Sequence, residues 1–136
     1  MLKPTRPLLE VRPSPIDGRG LFAVSRIHPR HKIGELAGQV ISQREARRRA
    51  RHKRRINIVE FGDGRAMDAS MSGNIFRYIN HSCAPNAYMR IFHGHVEFYA
   101  LRTIHPGEEI TCRYGETHHA GKLPCNCGSA YCQGYL

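Results

Sequence analysis

No stretch of this chain approaches the ~20 consecutive apolar residues that a membrane-spanning helix needs, which excludes a helical membrane protein. Acidic residues are scarce. The 11 Asp plus Glu face 21 Lys plus Arg, and the formal charge of +10 predicts attraction to polyanions, either nucleic acid or an acidic partner. A disulfide framework is also missing: there are 5 cysteines, an odd number, and Cys125, Cys127 and Cys132 crowd together. That pattern fits metal ligation in a reducing compartment better than paired disulfides. Residues 1–9 are basic, broken by Pro4 and Pro7, and without an apolar stretch of secretory length, so the chain is expected to stay inside the cell. There is no internal repeat and no low-complexity tract apart from one arginine-rich run.

What is present fits a single globular domain. A chain of 136 residues with 40% apolar and 24% charged residues can bury roughly two-thirds of its unfolded surface around one core. Strand patterns dominate. Residues 11–22 read as a strand running into a turn at Asp17-Gly18-Arg19-Gly20, after which Leu21, Phe22, Ala23 and Val24 resume an apolar strand. Residues 33–41 read as two short strands about a glycine turn. Residues 56–61 alternate and β-branch as a strand does, and Gly62-Asp63-Gly64 turns them into residues 65–69. A further strand pair, 87–91 and 95–101, flanks Phe92-His93-Gly94.

One helix is expected. Ser42 and Glu45 form a capping box at the head of residues 43–55, a run so rich in arginine that it has almost no apolar face. It reads as a solvated basic surface element or a partly disordered insertion, serving either as a nucleic-acid or nuclear-import patch or simply as a soluble helix.

The organising stretch is residues 73–86, Gly-Asn-Ile-Phe-Arg-Tyr-Ile-Asn-His-Ser-Cys-Ala-Pro-Asn. Asn, Ser and Pro compete with regular backbone, so the stretch is poor as helix or strand, and residues 75–79 are expected as a short buried segment feeding a sharp loop. The loop presents Asn80, His81 and Cys83 together. Asn donates and accepts, His donates, accepts or ligates, and Cys ligates as thiolate. Read alone, such a turn more often holds a buried cysteine than a ligand.

The order Gly-Asn-x-x-Arg-Tyr-Ile-Asn-His-Ser-Cys-x-Pro-Asn closely resembles the signature of SET-domain protein lysine methyltransferases. The resemblance extends over roughly residues 11–136 and is nearest to the trithorax type, with a C-terminal post-SET zinc segment. It implies a mainly β fold of small sheets with a pseudoknot. The expected division is an N-terminal arm at 1–10, the SET domain at 11–117 with a basic helical insert at about 43–55, and the post-SET segment at 118–136.

The same resemblance implies S-adenosylmethionine as methyl donor and a lysine of a histone or other basic protein as acceptor. Arg19, Gly20 and Leu21 match the family's Gly-x-Gly-Leu-Phe segment that lines the cofactor pocket. Asn80 and His81 are implied in cofactor binding, Tyr78 in packing within the site, and Tyr114 in contacting the reacting amine and methyl group. Asn126 matches the residue that helps hold the adenine end. Tyr114 closes Glu108-Glu109-Ile110-Thr111-Cys112-Arg113-Tyr114, which is similar to the family's Glu-Glu-Leu-Thr-x-x-Tyr motif. Glu108 and Glu109, adjacent in a strand, point to opposite faces and are not expected to cooperate as an acid/base pair.

Cys125, Cys127 and Cys132 supply three thiolates, and structural zinc takes four ligands. The resemblance implies Cys83 as the fourth. The sequence departs from the family pattern at Asp17, Asn57, Cys112 and Arg113. A small thiol at 112 leads to the expectation that transfer does not stop at one methyl. The rival reading is a catalytically weak SET-like zinc protein that binds nucleic acid or chromatin through the basic helix. A homodimer is compatible with a compact chain of this kind, although no exposed apolar stripe argues for one. Residence in the nucleus is expected if the source is eukaryotic, and in the cytoplasm if it is bacterial.

Overall fold

In the computed structural model the described residues are 7–51, 57–113, 125, 127–130 and 132. They form ten strands, one α-helix and one 3-10 helix arranged as three small sheets. The fold is mainly β, as the sequence predicts. No helix is long and apolar enough to cross a membrane.

The first sheet carries the chemistry-bearing segments. Strands β1 (Leu9–Pro13) and β2 (Arg19–Ala23) form an antiparallel hairpin, with Leu9 opposite Ala23 and Pro13 opposite Arg19. β10 (Glu109–Cys112) joins the other edge of β2 antiparallel, placing Ile110 opposite Leu21. The two-residue strand β7 (Asn80–His81) then pairs parallel to β10, with Thr111 opposite Asn80 and Cys112 opposite His81. The sheet order β1-β2-β10-β7 therefore assembles three segments that lie far apart in the sequence.

The second sheet, β3-β9-β8, is built from Lys32–Leu36, His95–Ala100 and Ala87–Phe92. The third, β4-β6-β5, comprises Gln39–Ser42, Arg65–Asp68 and Ile58–Glu60. The main core joins the first two sheets through Leu21, Ile27, Val96, Ile104 and Ile110, each almost wholly buried. Burial of such side chains contributes about 1.5–3 kcal/mol each.

Three expectations are refined. The helix α1 runs over Gln43–Ala50, and Ser42 caps it by accepting from the Glu45 backbone N–H at 3.1 Å. It does have an apolar face: Ala46 and Ala50, one turn apart, are buried against Ile58 and Ala66 of the third sheet. Alanine's small surface hid that stripe among the arginines. The expected continuation through 52–55 lies outside the described residues.

Residues 75–79, expected as a short buried segment, include a 3-10 helix over Ile75–Tyr78. The Asn74 side chain accepts from the Phe76 N–H at 3.0 Å while its own amide donates to the Glu35 carbonyl at 3.1 Å. Those bonds bend the chain locally, so Ile75 is exposed, while Ile79 is buried in the core and Phe76 packs against it. Asn80 and His81, expected in a loop, gain strand geometry because β10 offers them a parallel partner.

Candidate functional site

The β2, β7 and β10 junction concentrates polar groups in an otherwise apolar sheet. Asn80 is buried, and its side-chain Nδ2 lies within 3.2 Å of four acceptors: Ser14 Oγ, the carbonyls of Asp17 and Arg19, and Glu109 Oε2 at 2.9 Å. Ser14 Oγ donates in turn to the Glu109 carboxylate at 2.8 Å and accepts from the Ile16 N–H at 3.0 Å. The turn between β1 and β2 is held by Ser14 N–H donating to the Gly18 carbonyl at 2.8 Å. Gly20 is required here, because a Cβ would lie 2.3 Å from Glu109 Oε2 and 3.1 Å from the Ser14 Cβ. The carboxylate occupies the space that any other residue at 20 would fill.

Asn86 fastens the same junction from the opposite side. Its amide donates to the Glu109 carbonyl at 2.8 Å and its Oδ1 accepts from the Thr111 N–H at 2.9 Å, so a side chain reproduces the two bonds of a strand partner. Ser82 N–H donates to the Cys112 carbonyl at 3.0 Å and extends the β7–β10 ladder. Buried groups of this kind must be paired, since an unmade hydrogen bond there costs about 1–3 kcal/mol.

A second centre begins three residues after Asn80. The sulfurs of Cys83, Cys125, Cys127 and Cys132 all lie within 4.8 Å of one another, and Cys83 is buried. Four sulfurs held tetrahedrally about 2.3 Å from a zinc ion are about 3.8 Å apart, so the group needs only a small contraction to close on a metal. The cluster is therefore of a size and donor type that can hold a metal ion.

Burial pushes the Cys127 thiol up, but N–H donation from the Cys83 and Ser129 backbones, with the thiols of Cys132 and Cys125, outweighs it and brings the group to about 6. Burial, with the neighbouring thiols, carries Cys125 up to about 12. His81 Nε2 lies 3.4 Å from Cys83 Sγ, and burial followed by the Arg113 charge lowers the His81 pKa. Arg113 Nη2 donates to the Cys83 carbonyl at 2.9 Å, tying the end of β10 to the cysteine loop.

The structure thus brings together Arg19, Gly20, Leu21, Asn80 and His81 in one sheet, and Cys83, Cys125, Cys127 and Cys132 in one cluster. Tyr78 ends the 3-10 helix and accepts from Arg77 Nη2 at 2.6 Å, with the Arg77 guanidinium 4.7 Å from its ring centroid. Tyr114, Asn126 and the residues following Tyr114 that the expected pseudoknot involves lie outside the described residues. Ser14, Asn86 and Glu109 were given no role in the sequence reading. Asn86 stood inside the organising stretch and Glu109 inside the second motif, so position was the only signal. Ser14 had none.

Small sheets joined at a buried polar junction, followed in the chain by Cys83 of a four-cysteine cluster able to hold a metal ion, define a mainly β domain. The chain belongs to the SET domain family, whose profile matches residues 18–115. It is 39% identical over 131 residues to histone-lysine N-methyltransferase trithorax of Drosophila virilis, covering 90% of this chain and 3% of that protein. Against the H3 lysine-4 specific histone-lysine N-methyltransferase of Schizosaccharomyces pombe it is 38% identical over 144 residues, 99% of this chain and 16% of the relative. Human histone-lysine N-methyltransferase 2B matches at 36% over 144 residues, 98% of this chain and 5% of the relative. The chain therefore spans only a small part of the length of these relatives.

Proposed function

We propose that the chain is the catalytic domain of a protein-lysine N-methyltransferase that uses S-adenosylmethionine and acts on a histone or another basic protein. The observation that carries the reading is the parallel pairing of β7 with β10, which sets Asn80 and His81 beside the motif ending in Tyr114 and one strand from Arg19, Gly20 and Leu21. The names of the relatives, all histone-lysine N-methyltransferases, support it.

S-adenosylmethionine supplies an electrophilic methyl group on a sulfonium. The carbonyls of Asp17 and Arg19 and the Glu109 carboxylate gather on Asn80 Nδ2, which fixes β7 against the β1–β2 turn. In this reading Arg19, Gly20 and Leu21 line the pocket, the Asn80 side chain and His81 backbone hold the donor, and Asn126 supports its adenine end. Tyr78 packs within the site.

The acceptor is a neutral lysine amine. A free lysine has a pKa of about 10.4, so the ammonium must lose a proton before its lone pair can attack. Desolvation in an apolar channel and a nearby positive charge both lower that pKa, and no strong base is needed. The Tyr114 hydroxyl orients the amine toward the methyl group. Cys112 is smaller than an aromatic side chain, and in this reading transfer does not stop at one methyl. Cys83, Cys125, Cys127 and Cys132 would hold a structural zinc ion, which would tie the post-SET segment expected at 118–136 to the loop that follows β7. The SET domain itself occupies residues 11–117. The transfer step draws on residues of one chain, so a homodimer is not required by it. Nuclear residence in a eukaryotic source follows from the histone substrate.

The test is transfer of a radiolabelled methyl group to core histones and to a lysate of the source cell, with zinc-replete protein and with Tyr114→Phe. Labelling that is lost in the variant supports catalysis by this site. Full labelling by a variant that still binds the donor removes Tyr114 from the mechanism. An absence of labelling in both, with donor binding intact, moves the reading to the rival, a SET-like zinc protein that binds nucleic acid or chromatin without turnover.

A further inference from the structure

The outward side of α1 is a single stripe of arginine. Arg44, Arg47, Arg48 and Arg51 recur at i, i+3, i+4 and i+7, which places them on one face, and all four are exposed. Arg51 keeps helical backbone angles at the cap (φ −58, ψ −27), so the stripe runs unbroken for about 10 Å. The opposite side is Ala46 and Ala50, packed on the third sheet, and this docking fixes which face meets solvent.

Acidic neighbours pair the two middle arginines of the stripe and leave its ends without an acidic partner among the described residues. Glu45 pairs with both Arg48 and Arg49, and Arg49 also donates to Asp68 Oδ2 and Gln39 Oε1 at 3.0 Å. Arg47 Nη2 lies 3.3 Å from Glu60 Oε1. Among the described residues Arg44 and Arg51, at the two ends, have no acidic partner. The stripe holds no apolar side chain: the exposed large hydrophobics lie off α1.

We propose that this stripe is a docking surface for the phosphate backbone of duplex DNA. Guanidinium forks match phosphate oxygens in pairs, and a row of cations along one rigid face follows a row of phosphates. Protein partners are anchored by aromatic and apolar residues at the centre of their interface, with charge at the rim, and this face has no such centre. Binding of this type is independent of base sequence, because every contact goes to phosphate. It also gives the +10 chain a way to approach a basic substrate that its own charge repels, when that substrate is wrapped in DNA. The stripe shares no residue with the Asn80–Glu109 junction or with the cysteine cluster, and it stands whether or not the methyl-transfer reading holds.

The experiment measures binding of a fluorescent mixed-sequence DNA duplex to the full chain, without methyl donor, from about 50 to about 200 mM salt. Four phosphate contacts give a slope of about −3.6 in log binding constant against log salt, a loss of about a hundredfold over that range. Arg44→Gln/Arg51→Gln lowers the magnitude of the slope by about two, whereas Arg26→Gln/Arg90→Gln, which removes the same charge elsewhere on the surface, leaves it unchanged. Arg44→Lys/Arg51→Lys retains the slope. Equal weakening by both glutamine pairs overturns the proposal in favour of diffuse charge attraction. Loss in the lysine pair as complete as in the glutamine pair overturns it too, since charge is then not the cause. Displacement of the duplex by polyglutamate as effective as by unlabelled DNA at equal charge assigns the stripe to an acidic polypeptide instead.

Discussion

Asn80 and Glu109 stand 29 residues apart in the chain and meet through a 2.9 Å bond from the amide Nδ2 to the carboxylate Oε2. Ser14 reaches the same carboxylate from a third segment, so one side chain of β10 holds the β1–β2 turn and β7 in register with each other. Glu109 is thus a positioning residue for the proposed donor pocket.

Glu109→Gln keeps the shape and removes the charge that both donors seek. Hydrogen bonds to charged groups contribute about 1.5–3 kcal/mol, so S-adenosylmethionine affinity is expected to fall by about tenfold or more, with a smaller change in transfer rate at saturating donor. Titration calorimetry and saturation kinetics check this together. A lowered melting temperature with donor affinity unchanged would mean that Glu109 acts on stability alone.

The cysteine cluster joins residues of the loop after β7 to the tail. Purified protein is expected to release one zinc per chain, and Cys83→Ser to lose it. Metal binding couples to ordering of the tail, whereas the core of Leu21, Ile104 and Ile110 lies elsewhere. Chelation is therefore expected to weaken donor binding strongly and to leave the far-ultraviolet spectrum of the β core largely intact. Chelated protein that binds donor as before would contradict the coupling.

Much of this was legible in the sequence, and the limits have physical causes. The hairpins β8–β9 and β5–β6 were readable because each pair is joined by a short glycine-containing turn. The capping box at Ser42 and Glu45 was readable because it is local. The four cysteines came from spacing for three and from resemblance for Cys83. The parallel β7–β10 pairing was not legible, because two residues of strand carry no periodicity and the partner is remote. Nor was the Ser14–Glu109–Asn80 network, for polar side chains of this kind read as turn formers or surface groups until the fold brings them together. The alanine face of α1 was missed because two methyl groups give little apolar signal beside so many arginines.

Gly34 supplies a prediction about the core. An ideal Cβ there would lie 1.9 Å from Phe76 Cζ, and Phe76 is stacked on Phe98 with ring centroids 6.3 Å apart. The ring cannot withdraw freely, because Asn74 pins the 3-10 helix to β3. Gly34→Ala is expected to cost about 1–3 kcal/mol by overpacking. Combining it with Phe76→Leu, which vacates the space, should cost less than the sum of the two single changes. Additive losses in urea unfolding would place the strain elsewhere.

The turn before β10 supplies a pH dependence. The Arg102 guanidinium meets the Glu108 carboxylate at 3.0 and 3.2 Å, and the His105 N–H donates to it at 2.6 Å. Pairing with Arg102 first, and that N–H next, holds the Glu108 carboxyl below its ordinary value. A carboxyl whose folded value is depressed stabilises the fold fully above its unfolded value, about 4.3, and the contribution disappears as pH falls through the lower folded value. The pair is partly exposed, so its worth is about 0–1 kcal/mol. Arg102→Gln should therefore be slightly less stable than the parent at pH 7, with the gap narrowing below about pH 4.3 and closing once Glu108 is protonated in both. Urea midpoints of parent and variant across that range check it. A gap that stays constant into acid would assign the loss to packing of the Arg102 stem rather than to its charge.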